Sequence, residues 1–408
     1  MNQIWETIIR CRICDSGDLT QILDMGEQPP ANSLYTEFSS PPPKVPLRLC
    51  ICNHCGCVQL KESVNPVYLF GSYLWVTGTS KTASHYSQTF AMRALEKADK
   101  PQPFVVEIAS NDGTFLREFQ NKNSCVLGVD PAENIAAFAN SQGVETIPEF
   151  FTVKVAENIL RERGTADIAI ARNVIPHVKE IHSVIEGLKL LIGRNGIGII
   201  EFHDSNLLLK ELHYDYIYHE HLFYFTLSSM QFLLAQHDLF AFDLDRSPIS
   251  GGSWVIYFSS STKQKSTALA DAEKAEGNKA VDVKDNWLRF CKNAISHRDT
   301  LKQLITDMSE PLIAYGASAR SSTLLNFAQL GYRNISAIID KNHLKHGLYT
   351  PGSAIPVISF EEGVKRLKNL NPLLLLAWNF SDEIMRDLKS YGYAGEYILP
   401  LPGLPRKI

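Results

Sequence analysis

Four cysteines near the start of the chain, Cys11-x-x-Cys14 and Cys52-x-x-Cys55, constrain the fold more than any other feature. A Cys-x-x-Cys knuckle presents two thiolates from one tight turn, and two knuckles supply the four-sulfur tetrahedron that zinc prefers. Six of the eight cysteines lie within the first 57 residues, and MNQIWETIIRCRIC lacks the long apolar core of a signal peptide. The pattern therefore reads as metal binding in a cytoplasmic protein, not as disulfides. The chain between the knuckles carries Pro29, Pro30, Pro41, Pro42, Pro43 and Pro46, so it cannot be one long helix. It suits a loop-rich lobe stapled by a structural Zn2+ with no open position for chemistry. Cys50 and Cys57 flank the second knuckle as strand residues, and His54 sits at its tip. A small core of free cysteines is the competing reading.

The remainder is too long for one core, since 408 residues suggest two or three domains. PFVVEIASNDGTFLREF reads as a buried strand, a tight turn and a helix start. NSCVLGVDPAENIAAFA repeats that order, and ADIAIARNVIPHV and NGIGIIEFHD add strands. The class is α/β, with a doubly wound parallel sheet that binds ligands at the carboxyl ends of its strands. Its first turn, Ala109-Ser110-Asn111-Asp112-Gly113, has one glycine where a dinucleotide fold has G-x-G-x-x-G. Glu107 closes the first strand. Asp130 closes the second, where it can accept both ribose hydroxyls of an adenosine group. Together they point to an adenosine cofactor without a pyrophosphate, S-adenosylmethionine (SAM). Ala109, Asn111, Asp112, Gly113, Pro131 and Asn173 complete the expected cofactor contacts. An Asp130 that only caps the helix after Pro131 is the alternative. His177, past the strand ADIAIA, faces the same cleft.

YDYIYHEHLFYF follows the strand IGIIEFHD, again on the cleft side. Three readings of His219-Glu220-His221 compete. A peptidase-type metal site needs H-E-x-x-H on a helix, and these histidines are two apart. A proton-transfer site suits a histidine with a neighbouring carboxylate and phenol. A polar loop with aromatic packing is the third.

The C-terminal stretch PLIAYGASARSSTLLNFAQLG is again strand, loop and helix, where a helix N-terminus attracts phosphate and Arg320 adds charge. ISAIIDKN ends a strand at Asp340, and KHGLYTPGSAIPV brings Lys345, His346 and Tyr349 to a nucleotide-facing loop. A degenerate scaffold is the alternative. Residues 259–305 read as a flexible, solvated connection followed by a helix with Trp287, Phe290, Ile295 and Leu301 on its apolar side. The expected division is a zinc lobe at 1–70, a SAM domain at 71–262, and a linker helix with a Rossmann-like domain at 263–408.

The ordered set CxxC…CNHCGCVQL, VVEIASNDGTFL, GVDPA, ARNVIPHV, YDYIYHEHLFYF and GASARSSTLLN resembles the SAM-dependent C-methyltransferases that act on C3 of dTDP-4-keto-deoxysugars. The resemblance covers nearly the whole chain. It implies a catalytic group of Tyr218, Glu220, His221, His177 and Tyr73. His221 would be the base, Tyr218 its phenolic partner and Glu220 its orienting group. It also implies a nucleotide-linked sugar partner held with Ser318, Arg320, Lys345 and Tyr349. Three motifs depart from the family pattern: Tyr73-x-Trp75 for Tyr-x-Tyr, Ser250-Gly251-Gly252-Ser253-Trp254 for His-Gly-Gly-Ser and a basic residue, and Gly316-Ala317-Ser318-Ala319-Arg320-Ser321 for Gly-Ala-x-Ala-Lys-Gly.

A net charge of −4 argues against a nucleic-acid partner, and the lack of an 18-residue apolar run against a membrane span. A monomer or weak homo-oligomer is expected. Competing functions are O- or N-methyl transfer to another small molecule, a nucleotide-sugar oxidoreductase, and a zinc-stapled interaction protein without catalysis.

Overall fold

The computed structural model describes residues 4–71, 77–79, 81–248, 252–277, 283–367 and 371–408. Tyr73, Trp75, Ser250 and Gly251 lie outside the described residues.

In the central domain, each parallel strand alternates its side chains between two apolar layers. Val105 and Ile170 face one layer with Phe90 and Phe115, while Val106 and Ala169 face the other with Ile159 and Ile185. Burial on both faces is what strands wound between helices require. The sheet runs in the order Phe240–Ser247, Ser253–Ser259, Ile197–His203, Ile168–Arg172, Phe104–Ile108, Cys125–Val129, Thr146–Ile147. Ser253–Ser259 is antiparallel to both neighbours. Strand order reverses between Phe104–Ile108 and Ile168–Arg172, so the crevice beyond their carboxyl ends is where a ligand belongs.

The zinc lobe is a four-stranded antiparallel sheet, and one strand is foreign to it. Leu19–Gln28, Val45–Cys52 and Val58–Leu60 are joined at the edge by Phe223–Tyr224. The chain that carries His219-Glu220-His221 therefore runs straight into the lobe's sheet.

The third sheet runs Val357–Ile358, Ile335–Ile339, Leu312–Tyr315, Leu373–Leu375, Tyr397–Leu399, Arg406–Lys407, parallel except for the last strand. Two expectations for the connection need correction. Its polar start holds a helix, Thr267–Gly277, packed on the central domain, where Glu276 accepts the Leu227 and Ser228 N–H groups at 3.0 and 2.7 Å. The domain division expected at 262 thus precedes this helix. On the helix Val283–Thr306 the buried side is Trp287, Phe290, Ala294, His297 and Leu301, while Ile295 is 40% exposed. Position 294, not 295, continues the helical spacing from 287 and 290. No helix among the described residues is long and apolar enough to cross a membrane.

Candidate active site

The sulfurs of Cys11, Cys14, Cys52 and Cys55 lie within 4.8 Å of one another. Cys11 Sγ is 3.7 Å from Cys55 Sγ, and Cys14 Sγ is 3.5 Å from Cys52 Sγ. Four thiolates about 2.3 Å from one zinc ion sit at nearly those separations, so the donor set fits Zn2+. The Gln59 amide donates to Cys11 Sγ at 3.0 Å, which stabilises a thiolate. Cys50 and Cys57 are buried outside the set, and His54 is exposed.

A cavity of about 1180 Å³ opens where the lobe, the central crevice and the C-terminal domain meet. On the crevice side, the turn after Phe104–Ile108 places Ala109 and Asn111 at positive φ. Gly113 follows at φ 73°, where a Cβ would lie 2.7 Å from Val144. Only glycine closes that turn cheaply. Ala109, Asn111, Asp130, Pro131 and Asn173 line the cavity. Asp130 accepts the Asn111 N–H at 2.9 Å and the Ala132 N–H at 3.0 Å, one on each oxygen. It does cap the following chain, yet it still borders the cavity with acceptor capacity to spare. Asn173 Oδ1 is a buried acceptor without a partner among the described residues, as expected of a group that meets a ligand donor. These features fit SAM.

Three expected cofactor contacts sit behind this wall. Asp112 accepts the Thr114 hydroxyl at 2.8 Å and the Gly78 N–H at 2.9 Å, so it ties the turn together, and Gly113 shapes it. Glu107 is fully buried and binds Arg172 at 2.7 Å, and burial pushes its carboxyl up to about 7. Glu107 reaches the cavity only through Arg172, which lines it.

The opposite wall carries Tyr216, Tyr218, Glu220, His221 and His177. His221 Nδ1 donates to the Tyr216 carbonyl at 2.8 Å, because a carbonyl can only accept. That bond fixes the tautomer and leaves Nε2 as a lone pair. Burial drives the His221 pKa well below the usual imidazole range, with His177 adding to the effect, so the ring is neutral. The rings of Tyr218 and Tyr216 lie 3.9 and 4.0 Å from it, and His177 lies 4.8 Å away. Burial lowers His177 to about 4, and its Nδ1 has no partner among the described residues.

Glu220 does not orient His221, which corrects the role expected for it. Its oxygens accept the Asn32 amide at 2.8 and 2.9 Å, and Asn32 belongs to the zinc lobe. Burial raises the Glu220 carboxyl to about 7 against that amide. His219 turns away and bonds the Val45 and Pro46 carbonyls at 3.1 and 3.3 Å. A turn, closed by the His221 N–H on the Tyr218 carbonyl at 2.9 Å, separates the two rings, which corrects the extended, alternating segment expected there.

Ser318, Arg320 and Lys345 line the C-terminal wall. Ser318 caps the helix Ala319–Phe327. Arg320 does not offer a free fork: its Nε and Nη2 donate to Asp215 at 3.0 and 2.9 Å. Lys345 pairs with Asp340 at 3.2 Å. Tyr349 is not on the cavity wall. It bridges to Tyr35 of the zinc lobe through backbone bonds and ring contact at 5.7 Å, because its loop packs edge-on against that lobe.

Sequence reasoning missed Asn32, Tyr35, Arg172 and Tyr216, which line this cavity. The signal for Asn32 was slight, a polar residue directly after Pro29-Pro30-Ala31 on a loop.

Three family models match in succession: a zinc binding domain over residues 11–70, a methyltransferase domain over 82–240, and a C-methyltransferase C-terminal domain over 248–402. The C-methyltransferase NovU of Streptomyces niveus is 30% identical over 411 residues, covering 98% of this chain and 97% of NovU. Among solved structures, magnesium protoporphyrin IX methyltransferase from Synechocystis with bound SAM aligns at 12% identity over 43% of this chain and 78% of its own, with a TM-score of 0.33. A SAM-dependent methyltransferase from Clostridium acetobutylicum aligns at 10% identity over 46% of this chain and 94% of its own, with a TM-score of 0.35. Likeness that low carries no weight beside the sequence match. With zinc lobe, cofactor crevice and C-terminal domain matched in order along nearly its whole length, the chain belongs to the SAM-dependent C-methyltransferases.

Proposed function

We propose that this enzyme methylates C3 of a 4-keto-deoxysugar carried on a nucleoside diphosphate, dTDP being the first candidate. The observation that carries the reading is the His221 tautomer. A neutral imidazole whose Nε2 has no hydrogen-bond partner among the described residues, between two phenols and a second buried histidine, suits a carbon-acid base beside an oxyanion site.

A ketone at C4 acidifies the proton on the next carbon. His221 Nε2 takes that proton, and the electron pair moves onto the C4 oxygen. The Tyr218 phenol and the His177 ring, on the same cavity wall, are the groups to hold that oxygen. Glu220, fixed by Asn32, and the sugar-facing wall set which carbon meets the base. When bound, SAM supplies a sulfonium methyl group as the electrophile. Ser318, at the start of the helix Ala319–Phe327, and Lys345 support a diphosphate on the far wall.

The test uses the zinc-loaded protein with SAM and dTDP-4-keto-6-deoxyglucose as probe. Product NMR is expected to show a methyl group on C3. A methyl on C5, the other carbon beside the ketone, overturns the position, and an O–CH3 overturns the chemistry. His221→Ala is expected to lose about 10²–10⁴ in kcat with SAM affinity retained. Undiminished turnover removes His221 as the base.

A further inference from the structure

One buried ion pair joins the C-terminal domain to the loop that holds the base. Asp215 lies in the single turn Tyr214–Tyr216 and is 1% exposed. Its Oδ1 accepts Arg320 Nη2 at 2.9 Å, and its Oδ2 accepts Arg320 Nε at 3.0 Å and Trp378 Nε1 at 2.9 Å. Both donors come from the C-terminal domain. The Arg320 guanidinium also lies 4.7 Å from the Trp378 ring and 5.7 Å from the Tyr216 ring. The residue after Asp215 is Tyr216, whose carbonyl fixes His221 and whose ring lies 4.0 Å from it.

A planar fork on a carboxylate fixes orientation as well as distance, which a lysine at position 320 cannot do. A surface contact between domains would need neither this burial nor the third donor from Trp378. The arrangement places a rigid, three-donor clamp one residue away from the acceptor that sets the tautomer of the base.

We propose that Arg320, with Trp378, is a positioning residue for methyl transfer: by clamping Asp215 it fixes the Tyr216 carbonyl, and so His221 is set as a base only with the C-terminal domain in place. This rests on His221 being the base of the proposed reaction. Binding of a nucleotide against the wall that Arg320 shares with Ser318 and Lys345 is thereby tied to the proton-transfer site.

The charges around His221 make the clamp readable by pH. Facing it are Tyr216 and Tyr218 from its own loop, His177 from the turn Ile175–His177, His203 from the strand Ile197–His203, and Arg320 from the helix Ala319–Phe327. Glu220, next in the chain, is held by Asn32. Arg320 stays positive throughout and disfavours an imidazolium, while Asp215 offsets it.

The experiment uses full-length zinc-loaded protein, SAM and dTDP-4-keto-6-deoxyglucose, with kcat and KM measured from about pH 5 to about pH 9. Arg320→Met is expected to lower kcat about 10- to 100-fold and to move the acid limb of kcat/KM upward. Asp215→Asn leaves Arg320 uncompensated and is expected to move that limb downward. Arg320→Lys keeps the limb near wild type and recovers part of kcat, and it serves as the folded substitute if Arg320→Met does not fold. SAM affinity by calorimetry stays unchanged in all three. A rise in KM alone, with kcat and the acid limb unmoved, makes Arg320 a nucleotide contact and overturns the proposal. So does a limb that moves the same way in Arg320→Met and Asp215→Asn. If wild type does not methylate the sugar nucleotide, the functional reading fails by itself. The clamp is then judged by ¹⁵N NMR of the imidazoles, with the His221 signal identified from His221→Gln. Loss of the Nδ1–H tautomer in Arg320→Lys or Arg320→Met supports it, and an unchanged tautomer in both overturns it.

Discussion

The two α/β domains carry the same small device and put it to different ends. In the central domain, Asp130 at the second strand end accepts the N–H of Asn111 in the first turn at 2.9 Å and that of Ala132 at 3.0 Å. In the C-terminal domain, Asp340 accepts the N–H of Ala317 in the first turn at 2.9 Å and that of Asn342 at 2.8 Å. Each turn has a glycine at positive φ, Gly113 and Gly316. The difference is Lys345. Its Nζ lies 3.2 Å from Asp340 Oδ2 and donates to the Ala317 carbonyl at 2.7 Å, closing the place that stays open beside Asp130. Asp130 borders the cavity and Asp340 does not, while Lys345 does. One fold thus presents an acid to the cavity in one copy and a cation in the other. The two turns are held by matching backbone hydrogen bonds, and a single side chain changes the charge each shows to the cavity.

The largest expected effect comes from the part neither α/β domain contains. Removing zinc with a chelator, or substituting Cys52→Ser, unfolds a lobe whose four thiolates need the metal. The strand Phe223–Tyr224 then loses its partner Val58–Leu60, two residues beyond His221. Turnover is expected to fall by at least about 100-fold while SAM affinity stays within about threefold. A parallel loss of SAM affinity would show that the lobe also shapes the central crevice.

Next is the pair of acids themselves. Asp130→Ala is expected to weaken SAM binding about 10- to 100-fold, the equivalent of hydrogen bonds to a charged group at about 1.5–3 kcal/mol. Asp340→Ala is expected to leave SAM affinity within about threefold and to lower Tm. Calorimetry and a thermal melt on both variants check this, and equal SAM losses would break the comparison.

Much of this was legible in the sequence. The four cysteines read directly because ligand spacing is local. So did the strand–turn–helix repeats, since alternating burial leaves its period in the chain. What remained hidden was the identity of partners across domains. Nothing near Glu220 announces Asn32, which arrives from 188 residues away. Nothing near Arg320 announces Asp215, so a cation on a phosphate-type loop read as free when it was paired. Tyr349 was misplaced for the same reason: a loop at a strand end faces either a cleft or a neighbouring lobe, and only tertiary packing decides. Tyr216 meets His221 through its carbonyl, which no side-chain pattern encodes.

Lys345→Met sharpens the comparison from the other side. It removes the cation from the cavity wall and leaves Asp340 with its backbone donors. KM for the dTDP-sugar probe is expected to rise about tenfold with kcat nearly unchanged, the signature of a contact made equally in ground and transition states. SAM affinity stays the same. A fall in kcat at constant KM would instead assign Lys345 to the reaction.

The smallest expected effect concerns the buried carboxyl that links lobe and loop. Glu220 has a folded-state pKa of about 7 against an ordinary value of 4.5, because burial outweighs the Asn32 amide. Its folded form therefore holds the proton more tightly than the unfolded chain does. Stability from this group is fully present below about pH 4.5 and is lost as pH rises through about 7. Glu107, raised to about 7 by burial despite Arg172, adds a loss of the same sign in the same window. Glu220→Gln cannot ionise, so the drop in Tm between pH 5 and pH 8 is expected to shrink by about 2–4 °C relative to wild type, with the part due to Glu107 remaining. If the variant shows the full wild-type slope, Glu220 ionises in the folded protein as readily as in the unfolded chain, and the neutral carboxyl beside Asn32 is wrong.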